Sequence, residues 1–313
     1  MNTITQTTTT RAERIASLAY NYEQQEKVRL SQCNLCGEGT LFTITHKDRY
    51  GYPASVDVCT CCGLTFLNPR MTAEAYTDFY ISVYRPLVSA YHGRLIDSKT
   101  VQEDQKDYTA KLTEILRPWL EKGSYQSLLD VGGSTGVVSV GLSQAYGLKA
   151  TVIDPAPAEI EEAQALGMET ITAFIEDWDP KGKKYDVIGI FQTIDHLLDV
   201  SGTFNKLRSV IAPDGLMVVD IVDFRHAYLR NWSINEGTKI DHPYYFTEES
   251  TEALLARTGF QPVGKVVSED LLHIFYICRP SVPNPHALPT ADSVREYLRE
   301  IRFVQGTQWK KQK

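Results

Sequence analysis

Cys33-Asn-Leu-Cys36 and Cys59-Thr-Cys61-Cys62 form two Cys-x-x-Cys knuckles with 22 residues between them. That spacing sets two sulfurs on one turn, and two such turns supply the four thiolates that zinc prefers in a tetrahedron. Gly37 and Gly63 each follow a knuckle, where a tight turn suits a small residue. The expected metal ligands are Cys33, Cys36, Cys59 and Cys62, with Cys61 as a spare thiol. A closed set of four thiolates leaves no open position, so the implied Zn2+ is structural rather than catalytic. Free buried cysteines or a redox pair are the competing readings of the same residues. Clustered cysteines in a reducing compartment point to metal before disulfides.

The second group with chemistry in it is Leu128-Leu-Asp130-Val-Gly132-Gly133-Ser134-Thr-Gly136. An apolar strand runs into glycines and directly into a helix. Glycine lets the backbone turn sharply and lets a ligand approach closely, and the free N–H groups of a helix start favour an anionic group. The next strand ends at Asp154, 24 residues after Asp130, where a carboxylate can accept both hydroxyls of a ribose. The pair points to a nucleoside-containing cofactor. A ligand-free turn of an α/β protein is the bland alternative. NAD is the sharper rival, but the glycine spacing does not fit G-x-G-x-x-G.

The segment resembles motif I of class I S-adenosylmethionine-dependent methyltransferases, Asp-x-Gly-x-Gly-x-Gly, with Ser134 in place of the middle glycine. Further matches follow in order: Glu176-Asp177-Trp178, Tyr185-Asp-Val-Ile-Gly-Ile-Phe191, Thr193-Ile-Asp-His-Leu-Leu198 and Ile211-Ala-Pro-Asp-Gly-Leu-Met-Val-Val219. His242-Pro-Tyr-Tyr-Phe-Thr-Glu-Glu249 and Leu255-Ala-Arg-Thr-Gly-Phe260 complete the set, which covers roughly residues 105–280. The resemblance implies S-adenosyl-L-methionine as cofactor. The Gly132, Gly133, Ser134 and Gly136 backbone would face its methionyl part, with Asp130 supporting the loop. Asp154 would hold the ribose, Glu176 or Asp177 would lie near the adenine amine, and Phe191 and Gln192 would line the cofactor.

The cysteine unit and the stretch Cys62-Gly-Leu-Thr-Phe-Leu-Asn-Pro-Arg70 resemble methyltransferases of bacterial sugar and polysaccharide pathways. By that resemblance the zinc unit and the helices after it form a wall or lid over the acceptor pocket. Methyl transfer from a sulfonium is an in-line displacement, so the protein mainly supplies alignment and, where the acceptor needs one, a base. Asp195-His196 and Asp223 follow strands four and five, and Lys239-Ile-Asp-His242 precedes Pro243. In sugar C-methyltransferases this last stretch often reads Tyr-x-x-His. His242 matches the histidine, and Lys239 stands where the tyrosine would be. The candidate catalytic residues are therefore His242, His196 and Lys239. A turn histidine at 242 and a packing histidine at 196 are the structural alternatives.

These residues need a scaffold that presents strand ends side by side. From Ser127 onward short apolar strands alternate with helices, which argues for a parallel sheet. Strands are expected at Leu128–Val131, Ala150–Ile153, Glu169–Ala173, Asp186–Phe191 and Leu216–Val222, with Pro262–Val267 and His273–Cys278 as a closing pair. Helices are expected at Gly136–Tyr146, at Phe204–Ile211 and from Thr247 to Gly259. The fold class is α/β, a Rossmann-like doubly wound and mostly parallel seven-stranded sheet. A small N-terminal zinc-binding unit and a helical lid complete it. The expected divisions are a tail and polar helix over 1–30, the zinc unit over 31–70 and a helical lid over 71–125. A SAM-binding domain over 126–280 and a tail with an amphipathic helix over 281–313 follow.

A net charge of −7 argues against a general nucleic-acid binder, which would need clustered Lys and Arg. No apolar run approaches the roughly 20 residues needed to span a bilayer, and a cytoplasmic location is expected. The Thr-rich first ten residues are expected to stay disordered. In the tail, Val294, Tyr297, Leu298, Ile301 and Val304 recur at helical spacing. A short helix needs a surface to cover. Packing on its own domain is the bland outcome, and an oligomer or partner contact through residues 281–313 or an anionic membrane surface are the alternatives. A contact outside the core sheet is expected. The expected acceptor is small, polar and sugar-derived. Two rival readings are a macromolecule methyltransferase using the zinc unit as reader and a non-catalytic methyltransferase-like partner in a biosynthetic assembly.

Overall fold

The computed structural model describes residues 9–311, so the Thr-rich lead lies almost wholly outside the described residues. The chain begins with α1 (Arg11–Ala16), then β1 (Lys27–Val28), β2 (Leu41–Thr45), β3 (Val56–Cys59), β4 (Thr65–Leu67) and β5 (Arg70–Met71). Three helices follow: α2 (Ala73–Ser82), α3 (Tyr84–His92) and α4 (Ser98–Leu120). The polar helix expected within residues 1–30 is confined to Arg11–Ala16. Only Ile15 of that helix is buried, and Ala19 turns the chain away at φ +51°.

The alternating part runs β6 (Ser127–Val131), α5 (Val137–Tyr146), β7 (Lys149–Asp154), α6 (Pro157–Ala165), β8 (Glu169–Thr172), β9 (Tyr185–Ile190), α7 (Val200–Val210) and β10 (Ile211–Val222). Then come α8 (Phe224–Asn231), α9 (Ile234–Gly237), β11 (Tyr244–Tyr245), α10 (Glu248–Thr258), β12 (Phe260–Val267), β13 (His273–Pro280) and α11 (Ala291–Lys311). Seven strands form one sheet in the order β12-β13-β10-β9-β6-β7-β8. The run from β10 to β8 is parallel, and β13 joins β10 and β12 antiparallel.

Strand boundaries follow the apolar runs closely, with two informative differences. Asp199 caps α7 by accepting from Gly202 N, so that helix starts before Phe204. Pro213-Asp214-Gly215 forms a register shift inside β10 rather than a turn before it. The capping residues behave as the sequence suggests. Thr247 and Ser250 close a reciprocal capping box on α10.

The two faces of the sheet are covered differently. Leu112, Leu116 and Leu120 of α4 pack on Leu128, Val187 and Leu216, while Phe204 and Leu207 of α7 cover the other face with Leu254 and Leu255 of α10. Each fully buried leucine contributes roughly 1.5–3 kcal/mol.

A second, antiparallel sheet has the order β11-β4-β3-β2. Its edge strand β11 comes from residues 244–245, far along the chain, and pairs Tyr244 with Phe66 and Tyr245 with Thr65. The cysteine unit and the larger sheet are therefore stitched together just after His242. The tail helix α11 lies on this second assembly. Tyr297, Ile301 and Val304 are buried with Ile44, Val58 and Tyr228, and Glu300 accepts from Arg225 and Tyr228. The apolar stripe is thus covered by the chain itself, away from the seven-stranded sheet, because the small sheet has an apolar face of its own to cover.

Candidate active site

In an open parallel sheet, ligands bind beyond the carboxyl ends of the strands where the strand order reverses. Here that point lies between β6 and β9, and a cavity of about 400 Å³ opens there. The loop after β6 forms one wall. Gly132 has φ +70°, and a Cβ on it would fall 2.2 Å from Thr193 Cγ2, so only glycine fits. Ser134, which stands where the motif has glycine, also adopts a left-handed φ of +48°. Its N–H donates to Asp154 Oδ2 at 3.1 Å, and Ala156 N donates to Asp154 Oδ1 at 2.9 Å. Burial pushes the Asp154 carboxyl up to about 6.

Gly132, Ser134, Asp154, Glu176, Phe191 and Gln192 all line this cavity. Asp130, Gly133 and Gly136 stand behind the loop. Asp130 is buried and accepts from Ser139 Oγ at 2.6 Å, its second oxygen has no partner among the described residues, and burial pushes its carboxyl up to about 7. Gly136 starts α5 against Ala163. Asp177 lies outside the cavity lining, and Glu176 Oε1 also accepts from Leu198 N at 2.7 Å. The loop, the strand-end carboxylate and the apolar floor of Ile153, Ile175 and Phe191 fit a nucleoside-bearing cofactor.

A second cavity of about 270 Å³ holds Asp195, Lys239 and His242, with Arg49 and Arg230 on its wall. His242 Nδ1 lies 2.6 Å from Asp195 Oδ2, and its Nε2 lies 2.9 Å from Lys239 Nζ. Burial lowers the His242 imidazole to about 4, against the pull of Asp195. Burial raises the Asp195 carboxyl, but His242, His196 and Lys239 outweigh it and hold it well below the usual carboxylate range. Burial also lowers the Lys239 amine, opposed by Asp241 and Asp195. The neutral imidazole thus donates from Nδ1 to a carboxylate, the arrangement of a general base with an orienting acid.

His196 lines the first cavity, its ring centroid 4.6 Å from that of His242, and its Nδ1 sits 2.8 Å from Tyr80 Oη. Asp195, His196 and His242 offer atoms within 4.8 Å of one another, a spacing that would also suit a cation. Asp195 holds Nδ1 of His242 and Lys239 holds Nε2, so a cation or an acceptor proton reaches the ring only where Lys239 gives way. Asp223 is structural: it caps α8 through His226 N and accepts from Glu248 N.

Sequence reasoning did not find Tyr80, Arg85 and Glu159. Tyr80 and Arg85 reach the first cavity from α2 and α3, and Glu159 reaches it from α6. Their spacing carries no signal, because each acts through a partner distant in the chain.

In the N-terminal unit, the sulfurs of Cys33, Cys36, Cys59 and Cys62 lie within 4.8 Å of one another. Two of the pairs, Cys33–Cys62 and Cys36–Cys59, are 3.5 Å apart. Bonds of about 2.3 Å to a central zinc give a tetrahedral edge near 3.8 Å, so a small outward shift would seat the ion. Cys61 is not one of the four.

Comparison with known proteins bears on the family and the fold. A family model described as a methyltransferase domain matches residues 101–265. Among curated proteins, the chain is similar to the ubiquinone biosynthesis O-methyltransferase of Bradyrhizobium diazoefficiens, 25% identical over 111 residues, covering 34% of this chain and 41% of that protein. The enzyme of the same name from Methylobacterium nodulans is 30% identical over 100 residues, covering 29% and 38%. The chain thus spans about two fifths of the length of these curated relatives. Among solved structures it is similar to the 1,6-didemethyltoxoflavin-N1-methyltransferase of Burkholderia thailandensis, at 16% identity and a TM-score of 0.50, covering 70% of this chain and 96% of that one. That protein was crystallised with 1,6-didemethyltoxoflavin and S-adenosylhomocysteine. With the domain model matching more than half of its residues, the chain belongs to the methyltransferase-domain family, in the class I fold of the S-adenosylmethionine-dependent methyltransferases.

Proposed function

We propose that the protein transfers a methyl group from S-adenosylmethionine to a small polar acceptor, a sugar or nucleotide sugar. The observation that carries this is the contact between the two cavities: His196 of the first meets His242 of the second at 4.6 Å. A cofactor in the larger cavity then faces an acid–base set in the smaller one. The cofactor supplies the electrophilic methyl group. Asp154 accepts the ribose hydroxyls, and the Gly132–Ser134 backbone faces the methionyl part. His242, oriented through Nδ1 by Asp195, takes the acceptor's proton at Nε2, where the acceptor hydroxyl displaces the Lys239 amine that otherwise holds that nitrogen. Arg49, Arg230 and Lys239 favour an acceptor that carries hydroxyls or negative charge.

Zinc held by Cys33, Cys36, Cys59 and Cys62 fixes the small sheet, and through β11 it fixes the segment bearing Lys239 and His242. A second reading, O-methylation of an aromatic hydroxyl, draws on the names of the curated relatives. Screening nucleotide sugars and catechols with radiolabelled donor separates the two. Label on a nucleotide sugar is the expected result. Label only on catechols moves the assignment to aromatic O-methylation, and label on neither class rejects both acceptors.

A further inference from the structure

The serine that departs from the glycine motif is wired into a chain of contacts running to the lid. Ser134 Oγ donates to Glu159 Oε2 at 3.0 Å, and Arg85 donates from Nε and Nη2 to Glu159 Oε1 at 3.0 and 2.6 Å. Ser134 N donates in turn to Asp154. Three elements are thereby joined at one corner of the cofactor cavity: α3 through Arg85, α6 through Glu159 and the loop after β6 through Ser134. All four side chains line the cavity.

The arrangement sets two carboxylates beside one backbone loop. Glu159 is 8% exposed and Asp154 is 9% exposed, so water screens neither well. A serine hydroxyl alone cannot compensate a buried carboxylate, whereas a two-pronged guanidinium contact can. Ser134 is an unfavourable choice for a left-handed turn unless its hydroxyl has a task, since its Cβ crowds the backbone there.

We infer that Arg85 is a positioning residue for the cofactor. It neutralises Glu159, which lets Glu159 hold Ser134 in its turn without repelling the Asp154 carboxylate that binds the ribose. The inference rests on the cofactor reading above. It makes α3 more than a cover: the lid helix carries the charge that tunes the ribose site.

The test is calorimetric titration of S-adenosylmethionine into the purified full chain and its variants. Wild-type binding comes first, because its absence rejects the cofactor reading and this inference together. Given wild-type binding, Arg85→Ala is expected to weaken affinity about tenfold, with turnover at saturating cofactor within twofold. Arg85→Lys should recover part of that loss. The decisive variant is Arg85→Ala with Glu159→Gln. Removing the uncompensated charge should bring affinity back to within about threefold of wild type, because glutamine can still accept from Ser134. Unchanged affinity in Arg85→Ala overturns the inference. So does a loss equal in Arg85→Ala and the double variant, which would mean that Arg85 contacts the cofactor itself or merely supports the fold. If Arg85→Ala does not fold, the same comparison is read from Arg85→Lys with and without Glu159→Gln.

Discussion

His242 and Asp154 divide the proposed work at the scale of single residues, and substitutions should separate them. His242→Ala is expected to lower turnover by about 10²–10⁴-fold, the usual size of a lost general base, with cofactor affinity within threefold. Asp154→Ala should do the reverse, weakening cofactor binding by about 2 kcal/mol through lost charge-assisted bonds. Steady-state kinetics beside calorimetry checks both. Equal loss of turnover and affinity in His242→Ala would mark a structural histidine. The pH dependence has a defined sign. A base lowered to about 4 is unprotonated throughout the neutral range, so turnover at saturating substrates should stay flat as pH falls from 8 and be lost only towards 4. A fall centred near 6.5 would show an ordinary exposed imidazole in its place.

Much of the cofactor side was legible at this scale, because a strand, a glycine turn and a strand-end acid are local patterns. The acid–base set was legible only as separate residues. Asp195 and His242 lie 2.6 Å apart in space, yet nothing in the spacing of the two segments announces the pair. Arg85 and Glu159 are 74 positions apart, and their pairing depends wholly on how the helices pack.

Among the elements, the knuckles and β11 matter most. The strand boundaries of the larger sheet could be read from apolar runs, since buried parallel strands are nearly continuous in hydrophobic residues. Strand β11 could not, because two tyrosines form a strand only when Thr65 and Phe66 offer them an edge. That pairing ties the cysteine unit to the segment that carries Lys239 and His242. Leu67 N also donates to Pro243 O at 3.0 Å, next to His242, and Ile240 N donates to Asp48 Oδ2 at 3.0 Å. Cys33→Ser and Cys62→Ser should therefore lose zinc and lower turnover together, while Cys61→Ser keeps both. Metal analysis of protein purified without added zinc gives the expected stoichiometry of about one per chain. Full turnover in a zinc-free Cys62→Ser protein would cut the link between the two sheets, and a requirement for Cys61 would reassign the ligand set.

For the molecule as a whole, α11 decides whether there is one folding unit or a catalytic sheet with an appendage. Its periodicity was plain in the sequence, but the surface it covers was not, because an apolar stripe specifies burial without specifying against what. Val294, Tyr297, Ile301 and Val304 are all buried on the chain itself. Tyr297 Oη lies 3.0 Å from Thr65 Oγ1, and Arg225 makes a two-pronged contact with Glu300. Four such side chains contribute roughly 6–12 kcal/mol at 1.5–3 kcal/mol each, comparable to the whole stability of a typical domain, about 5–15 kcal/mol. Removing residues 286–313 should therefore unfold the small sheet and abolish the proposed zinc binding, even though no described side chain of the helix lines either proposed cavity. The milder Ile301→Ala should cost about 2–5 kcal/mol and lower Tm by roughly 5–15 °C, with cofactor affinity unchanged. Thermal melting followed by circular dichroism, with zinc content measured on the same samples, tests both. A truncated protein that keeps its zinc and melts within about 3 °C of the full chain would show that the small sheet stands without the helix. The buried stripe would then have to be explained by a partner that displaces it.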